Sequence, residues 1–208
     1  MKYNPKIHNR RSIRLQGYDY SHAGAYFITC CCHDRKCWFG KIENDDMILN
    51  EYGMVAYNEW IKLTERFSNF ELDVFQIMPN HIHVILALND VGASLADAQK
   101  SLADAQKDLQ ANRATARVAP TMETKSKTVG DILGAYKSLV ANKCLEIFKL
   151  KCVEAGLAPA PAQIPMMGKL WQRNFYEHII RNEKSYQTIS NYIINNPNNW
   201  KDDKFYEE

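Results

Sequence analysis

The stretch from residue 70 to residue 88 constrains the fold most, because two apolar segments meet there across only two turn residues. Phe70 to Met78 is predicted to form a strand, and His81 to Leu88 a second strand. Pro79-Asn80 between them has the composition of a tight turn. The sequence therefore predicts a hairpin.

The segments around this hairpin predict how the rest of the chain is organised. In chain order they are a strand, a helix, the hairpin, a second helix, a short extended segment and a final helix. The corresponding ranges outside the hairpin are Tyr26 to Cys32, Leu49 to Arg66, Thr128 to about Lys149, Leu170 to Ile180, and a helix from Glu183 that Asn182 caps and Pro197 ends. This order predicts an α+β fold, a ferredoxin-like or RRM-like antiparallel sheet with helices packed on one face.

The length of 208 residues fits one domain, from 1 to 208, with two additions. The first is a basic N-terminal arm, residues 1–20, with a net charge of +4 although the whole chain has only +2. A basic arm can follow a phosphate backbone, and a solvated tail is the alternative. The second is an insertion, residues 91–127, in which SLADAQK occurs twice in tandem. We expect this insertion to be mobile and partly helical.

Composition excludes two classes of protein. No apolar run approaches the roughly 18 residues of a membrane span, and residues 1–16 lack a signal-peptide core, so we expect a cytoplasmic protein without a membrane partner. The six cysteines are poorly spaced for a disulfide framework, which favours reduced thiols. A zinc site formed by Cys30, Cys32, His33 and Cys37 is a weaker alternative.

His81 and His83 are the first candidate metal ligands. Side chains alternate along a strand, so the two histidines share one face while Ile82, Val84 and Leu86 share the other. We expect the apolar row to pack on the helices and the histidines to lie on the open face. Two imidazoles at this spacing can hold one divalent ion, although such pairs also occur by chance on sheet surfaces.

Tyr192 and Asn196 are the second candidate pair, at i and i+4 near the end of the final helix. They lie beside the core stripe of Tyr186, Ile189 and Ile193. The phenol of Tyr192 is a competent nucleophile, and the amide oxygen of Asn196 could complete the metal site. The structural alternatives are a half-buried aromatic residue and a residue that ends the helix before Pro197.

Together these residues resemble the single-tyrosine HUH transposases, and most closely the REP-associated tyrosine transposases. The similar segments are His81-Ile82-His83 after Met78-Pro79-Asn80, the run from Leu170 to Asn182 (LWQRNFYEHIIRN), and Tyr192 to Pro197 (YIINNP). The N-terminal segment from Arg10 to Leu15 and the strand from Tyr26 to Cys32 are similar as well. The resemblance covers most of the chain outside residues 91–127.

The resemblance implies a DNA transposition or recombination enzyme. Tyr192, on the C-terminal helix, would attack single-stranded hairpin or palindromic DNA, forming a 5′-phosphotyrosine link and releasing a 3′-hydroxyl. His81, His83 and Asn196 would bind Mg²⁺ or Mn²⁺, with Asn195 or water as alternative third ligands. A cytoplasmic, nucleoid-associated monomer is favoured over a homodimer. We expect DNA phosphates to contact the side chains of Arg10, Arg11, Arg14, Lys169 and Arg173.

Two other functions remain open from the sequence. A nucleic-acid-binding module without catalysis, or a domesticated regulator, would use the sheet as a platform for single strands. A metal-dependent phosphoesterase would need a general base, for which Glu177 is the candidate. His178 is either a supporting residue of the site or a structural histidine.

Overall fold

The computed structural model describes residues 17–89, 127–155 and 167–206. Arg10, Arg11, Arg14 and residues 91–126 of the predicted insertion lie outside this part of the chain. The strands are β1 (Gly24–Cys31), β2 (Gly40–Glu43), β3 (Asp46–Leu49), β4 (Phe70–Ile77), β5 (His81–Leu88) and β6 (Tyr176–Ile180). The helices are α1 (Glu51–Ile61), α2 (Leu63–Arg66), α3 (Val129–Glu154) and α4 (Glu183–Ile194), and short 3-10 turns span His33–Arg35 and Trp200–Asp202.

Strands β4, β5, β1 and β6, in that order, form one four-stranded sheet in which every neighbouring pair is antiparallel. Because α1 joins β1 to β4 and α3 joins β5 to β6, the connectivity is that of a ferredoxin-like fold. The predicted α+β class is confirmed. The predicted hairpin is present, with β5 at the predicted bounds.

One face of the sheet forms the main core with α1 and α3. Tyr26 and Ile28 of β1 and Ile82 and Val84 of β5 are fully buried on this face. The ring of Trp60 on α1 meets that of Tyr136 on α3 edge to face, with centroids 5.2 Å apart. The apolar row of β5 therefore packs on helices, as its alternation predicts.

The other face of the sheet is covered over β4 and β5 by α4 and by the segment that follows it. Asn182 caps α4, since its Oδ1 accepts a hydrogen bond from Ser185 N at 2.9 Å. The helix is fastened to β4 by Tyr186, whose hydroxyl donates to Asp73 Oδ1 at 2.8 Å. Asp73 lies where the β4–β5 register shifts between Leu72 and Phe75. The expectation that His81 and His83 lie on an open face is therefore wrong, although Tyr176 and His178 of β6 remain exposed on this face.

A second small sheet was not predicted from the sequence. Strands β2 and β3 form a hairpin whose turn residues, Asn44 and Asp45, have φ angles of 52° and 65°. Positive φ at both positions is characteristic of a type I′ turn, and Asn and Asp tolerate it better than other non-glycine residues. The helix predicted from Leu49 to Arg66 accordingly begins later, at Glu51, and is divided into α1 and α2.

In the described part of the chain, no helix is both long enough and apolar enough to cross a membrane.

Candidate active site

His81 and His83 lie side by side on β5 beneath α4 and the C-terminal segment. Their Nε2 atoms are 2.9 Å apart, and the two side chains are 0% and 1% exposed. The ring of Phe205 covers His81, with centroids 4.7 Å apart, and Tyr192 covers His83, with centroids 5.1 Å apart. The alternation correctly predicted that the two histidines share a face, but this face is buried.

The hydrogen bonds of Asn80 determine which nitrogen of His81 carries the proton. The Asn80 Nδ2 group donates to the carbonyl oxygens of Arg35 at 3.0 Å and Phe205 at 2.8 Å. Its Oδ1 therefore faces His81 Nδ1, 2.8 Å away, and can only accept. His81 must carry its proton on Nδ1 when neutral, so that Nε2 presents a lone pair toward His83.

His83 has a partner that suits either tautomer. Its Nδ1 lies 2.9 Å from the hydroxyl of Thr29, which can donate or accept. When His83 Nε2 donates to His81, Thr29 donates to Nδ1; when Thr29 accepts from Nδ1, His83 Nε2 is free to present its own lone pair. The site can thus direct two imidazole lone pairs at a shared cation.

Burial keeps both imidazoles in the form that binds metals. Desolvation, with the nearby Lys204 ammonium, lowers the pKa of His81 to about 3. Desolvation also holds the pKa of His83 well below its ordinary value, with a further contribution from His81. Both rings are therefore neutral near physiological pH.

Tyr192 on α4 places its hydroxyl at the edge of this pair. The oxygen lies 3.1 Å from His83 Nε2 and donates to Asp203 Oδ2 at 3.2 Å. The ring contacts Phe27 edge to face, yet the side chain is 41% exposed, so a macromolecule can reach it. Burial, together with the Asp203 carboxylate, raises the pKa of Tyr192 to about 12.

Asp203 joins the cluster from the segment after α4 and is not among the residues predicted from the sequence. Its Oδ2 also accepts from Asn196 Nδ2 at 2.8 Å, while its Oδ1 accepts from the backbone N–H of Phe205 at 2.6 Å. One ligand atom from each of His81, His83 and Asp203 fits within a span of 4.8 Å. No local pattern marks Asp203, because only the return of the chain past Pro197 brings it to the histidines.

Asn196 is part of the same cluster, whereas Asn195 points away. Asn196 is 1% exposed, and its Oδ1 is buried without a hydrogen-bond partner among the described residues. A buried oxygen without a partner is costly unless something else satisfies it, and a cation would do so. Asn195 is exposed and donates its amide back to Asn191 O at 2.8 Å.

The chemistry of this donor set fits a divalent cation. The neutral imidazoles of His81 and His83 and the carboxylate of Asp203 converge. The amide oxygen without a partner belongs to Asn196, whose Nδ2 donates a hydrogen bond to that carboxylate. A mixed nitrogen and oxygen set suits Mn²⁺ better than Mg²⁺, which prefers oxygen ligands. His81, His83, Asp203 and Asn196 could therefore hold Mn²⁺, and Mg²⁺ less tightly.

Two cationic side chains, those of Lys204 and Arg35, lie at the entrance to the site. Lys204 Nζ lies 4.7 Å from the centroid of the Phe205 ring and 5.4 Å from that of Tyr176. The guanidinium of Arg35 lies 5.7 Å from the Phe205 ring, and its Nη1 donates to Lys204 O at 3.1 Å. An anionic ligand would be attracted to this entrance.

The remaining candidates are not gathered around the histidines. Lys169 and Arg173 are exposed, and the backbone oxygen of Arg173 accepts from Lys137 Nζ at 3.2 Å. Glu177 is buried and lies directly across from Ile28 in the β1–β6 ladder, so both side chains are on the core face of the sheet, away from the histidines. Glu177 therefore cannot act as a base in this cluster. His178 is exposed on β6.

The weaker zinc alternative is wrong. Cys30 and Cys32 are buried in the main core, whereas Cys37 is exposed and His33 pairs with Asp34 at 2.9 Å. All six cysteines lie in the described residues, and each is a free thiol there.

Comparisons with known proteins found relatives in sequence and in fold. No family model matches the chain. An uncharacterized protein of Haemophilus influenzae is 38% identical over 208 residues, which cover 99% of this chain and 97% of the relative. Among solved structures, a REP-associated tyrosine transposase bound to a REP hairpin has a similar fold. That similarity has a TM-score of 0.48 and 17% identity, and it covers 88% of this chain and 72% of the other.

Proposed function

We propose that this chain, which belongs to the same family as the uncharacterized Haemophilus influenzae protein, catalyses metal-dependent cleavage of single-stranded DNA. Tyr192 would be the nucleophile. The product would be a 5′-phosphotyrosine link and a free 3′-hydroxyl, from which the strand could be rejoined to a new end. The substrate would be a single strand that carries a hairpin or palindrome. This is the reaction implied by the resemblance of the His81-Ile82-His83 and Tyr192 to Pro197 segments to the single-tyrosine HUH transposases.

The observation that carries the proposal is the position of one hydroxyl. Tyr192 lies at hydrogen-bond distance from both His83 Nε2 and Asp203 Oδ2, although 109 residues separate it from His83 along the chain. It combines this contact with an exposed fraction of 41%. A tyrosine that served only to pack the helix would not need a carboxylate and two neutral imidazoles at its hydroxyl.

The raised pKa of Tyr192 determines what the surrounding residues must do. With a pKa of about 12, the phenol is protonated near neutral pH and must lose its proton as it attacks phosphorus. Asp203 Oδ2 already accepts the hydrogen bond of that proton and is the group placed to receive it. Asn196 holds Asp203 through the same oxygen, which orients the carboxylate toward the phenol.

The bonds of the reaction balance without an energy-rich cofactor. One bond forms between the Tyr192 oxygen and phosphorus, one bond breaks between phosphorus and the 3′-oxygen, and the departing 3′-oxygen takes up a proton. The phosphotyrosine keeps the phosphodiester, so a 3′-hydroxyl can attack it in the reverse sense and release Tyr192. A divalent cation bound by His81, His83, Asp203 and Asn196 would supply charge neutralisation at the phosphate.

The test is a covalent adduct that forms at Tyr192 and at no other tyrosine. Protein is incubated with Mn²⁺ and a labelled single strand that carries a hairpin, and the products are separated by denaturing electrophoresis. We expect a band of protein bound to DNA, and we expect mass spectrometry to locate the modification on Tyr192. Tyr186→Phe is the matched control, because its hydroxyl bonds to Asp73 on β4 rather than to the cluster. If wild type binds several hairpin substrates but forms an adduct with none, the protein is a binding module.

A further inference from the structure

We propose that the groove between β6 and α4 binds an unpaired nucleotide of the DNA strand next to the scissile phosphate, with its base stacked on Tyr176. This inference rests on the proposed function, because it extends the path of the strand away from Tyr192. The groove has a volume of about 470 Å³, which falls in the range of small-ligand pockets. The residues that line it include Phe27, Tyr176, His178, Lys184 and Thr188.

Phe27 connects the groove to the cluster around Tyr192. Its ring stacks on His83 with centroids 5.5 Å apart and meets Tyr192 edge to face at 6.1 Å. On its other side it meets Tyr176, at 6.2 Å. Phe27 thus forms the floor between the nucleophile and Tyr176, whose side chain is 42% exposed and available for stacking.

The wall of the groove is a stripe of α4 that begins at Tyr192. Thr188 and Lys184 precede Tyr192 by one and two turns of the helix, and both line the groove. At 1.5 Å per residue, Lys184 lies about 12 Å from Tyr192 along the helix axis. A strand whose phosphate is at Tyr192 can therefore follow this stripe toward Lys184.

Charge and side-chain type identify the occupant. Lys184 and His178 line the groove, Lys204 lies over the ring of Tyr176, and the described residues that line the groove include no Asp or Glu. A polyanion with flat bases complements such a surface, because phosphates bind lysines and bases stack on aromatic rings. Stacking tolerates any base, so the groove would accept an unpaired nucleotide with little sequence preference.

The experiment is a double-mutant cycle between Tyr176 and the DNA base. Binding is measured by fluorescence anisotropy in the presence of EDTA, with full-length protein carrying Tyr192→Phe so that no cleavage occurs. The probes are a labelled single strand with a hairpin and an unpaired flank, and a set of identical strands that each have one abasic nucleotide in the flank. The protein variants are Tyr176→Ala and Tyr176→Phe, with Tyr57→Ala as the control for loss of a tyrosine that is similarly exposed but on α1.

We expect one abasic position to weaken binding to the otherwise unchanged protein by roughly tenfold, the usual effect of losing one stacked base. Tyr176→Ala should weaken binding of the intact strand by a similar factor and should no longer respond to that abasic position. Tyr176→Phe should bind as the parent does, and Tyr57→Ala should keep the response.

Equal affinity of Tyr176→Ala and its parent would overturn the proposal, as would an abasic response that persists in Tyr176→Ala. Abasic strands that all bind the parent equally well would overturn it too. The abasic series on the parent protein does not depend on whether a variant folds. The cycle also needs no cleavage, so a failure of the groove and a failure of the Tyr192 reaction give different results.

Discussion

Asp203→Asn is the substitution that best separates the roles of the residues around Tyr192. The side chain keeps its shape but loses its charge, and Asp203 supplies the only negative charge in the set it forms with His81 and His83. The carboxylate accepts hydrogen bonds from Tyr192, Asn196 and the backbone of Phe205. In the asparagine, the amide N–H₂ group would replace one of the two accepting oxygens and would face another hydrogen-bond donor. This costs about 1 kcal/mol of stability at a half-buried position.

Two effects of this substitution oppose each other in catalysis. The Asp203 carboxylate helps to raise the pKa of Tyr192, so removing the charge should lower that pKa and make the phenol easier to ionise. At a pKa of about 12, only about one phenol in 100,000 is ionised at pH 7, and a fall of one unit raises this tenfold. Against this gain, Asp203→Asn removes the proton acceptor and an anionic metal ligand. Losing even a supporting group of a metal site costs roughly 10- to 100-fold in affinity or activity.

We expect the loss to exceed the gain. Mn²⁺ affinity, measured by titration calorimetry, should fall about 10- to 100-fold in Asp203→Asn. Adduct formation at limiting Mn²⁺ should fall by a similar factor and recover in part at saturating Mn²⁺. Asp202→Asn removes the same charge from the neighbouring exposed residue and should behave as wild type. If Asp203→Asn binds Mn²⁺ and cleaves as wild type does, Asp203 has no part in the reaction.

Three other perturbations test separate parts of the site. Tyr192→Phe should abolish the adduct yet bind hairpin DNA within a few-fold, since the ring contacts with Phe27 and His83 remain; an adduct in this variant would place the nucleophile elsewhere. Metal-free protein should lose stability as the pH falls below about 6.5, because the unfolded chain then protonates His81 and His83 while the folded chain, in which both pKa values are lowered, does not. Each histidine should lower the free energy of unfolding by about 1.4 kcal/mol for each pH unit, which urea unfolding with EDTA would measure. A flat profile would contradict the burial of the two histidines. Deleting residues 2–14 should weaken DNA binding and flatten its dependence on salt, because phosphate contacts release counterions; an unchanged slope would show that the arm does not contact DNA.

The sequence predicted local elements well where hydrophobic periodicity and capping residues determine them. The bounds of β5 follow from the apolar segment after Pro79-Asn80, and the start of α4 follows from Asn182 as its cap. The β2–β3 hairpin was missed because its turn is Asn44-Asp45 rather than the stronger Asn-Gly signal, and because its strands are only four residues long.

The site was predicted less completely, for a different physical reason. Alternation along β5 shows that His81 and His83 share a face, but it cannot show what lies over that face. Phe205 covers His81 and Asp203 approaches both rings only because the chain turns back after Pro197, and no local pattern reports such a return. The roles of Thr29 and Asn80 as partners of the histidines depend on strand register in the same way.

The hydrogen bonds of the site join residues that are far apart in the chain. Thr29 and His83 are 54 residues apart, His83 and Tyr192 are 109 apart, and Asn80 and Phe205 are 125 apart. Each contact closes a long loop, whose entropic cost is met only when the sheet and α4 have already assembled. A ligand of this site therefore prefers the native chain to its unfolded ensemble, so Mn²⁺ or a single strand should raise the melting temperature once its free concentration exceeds its dissociation constant.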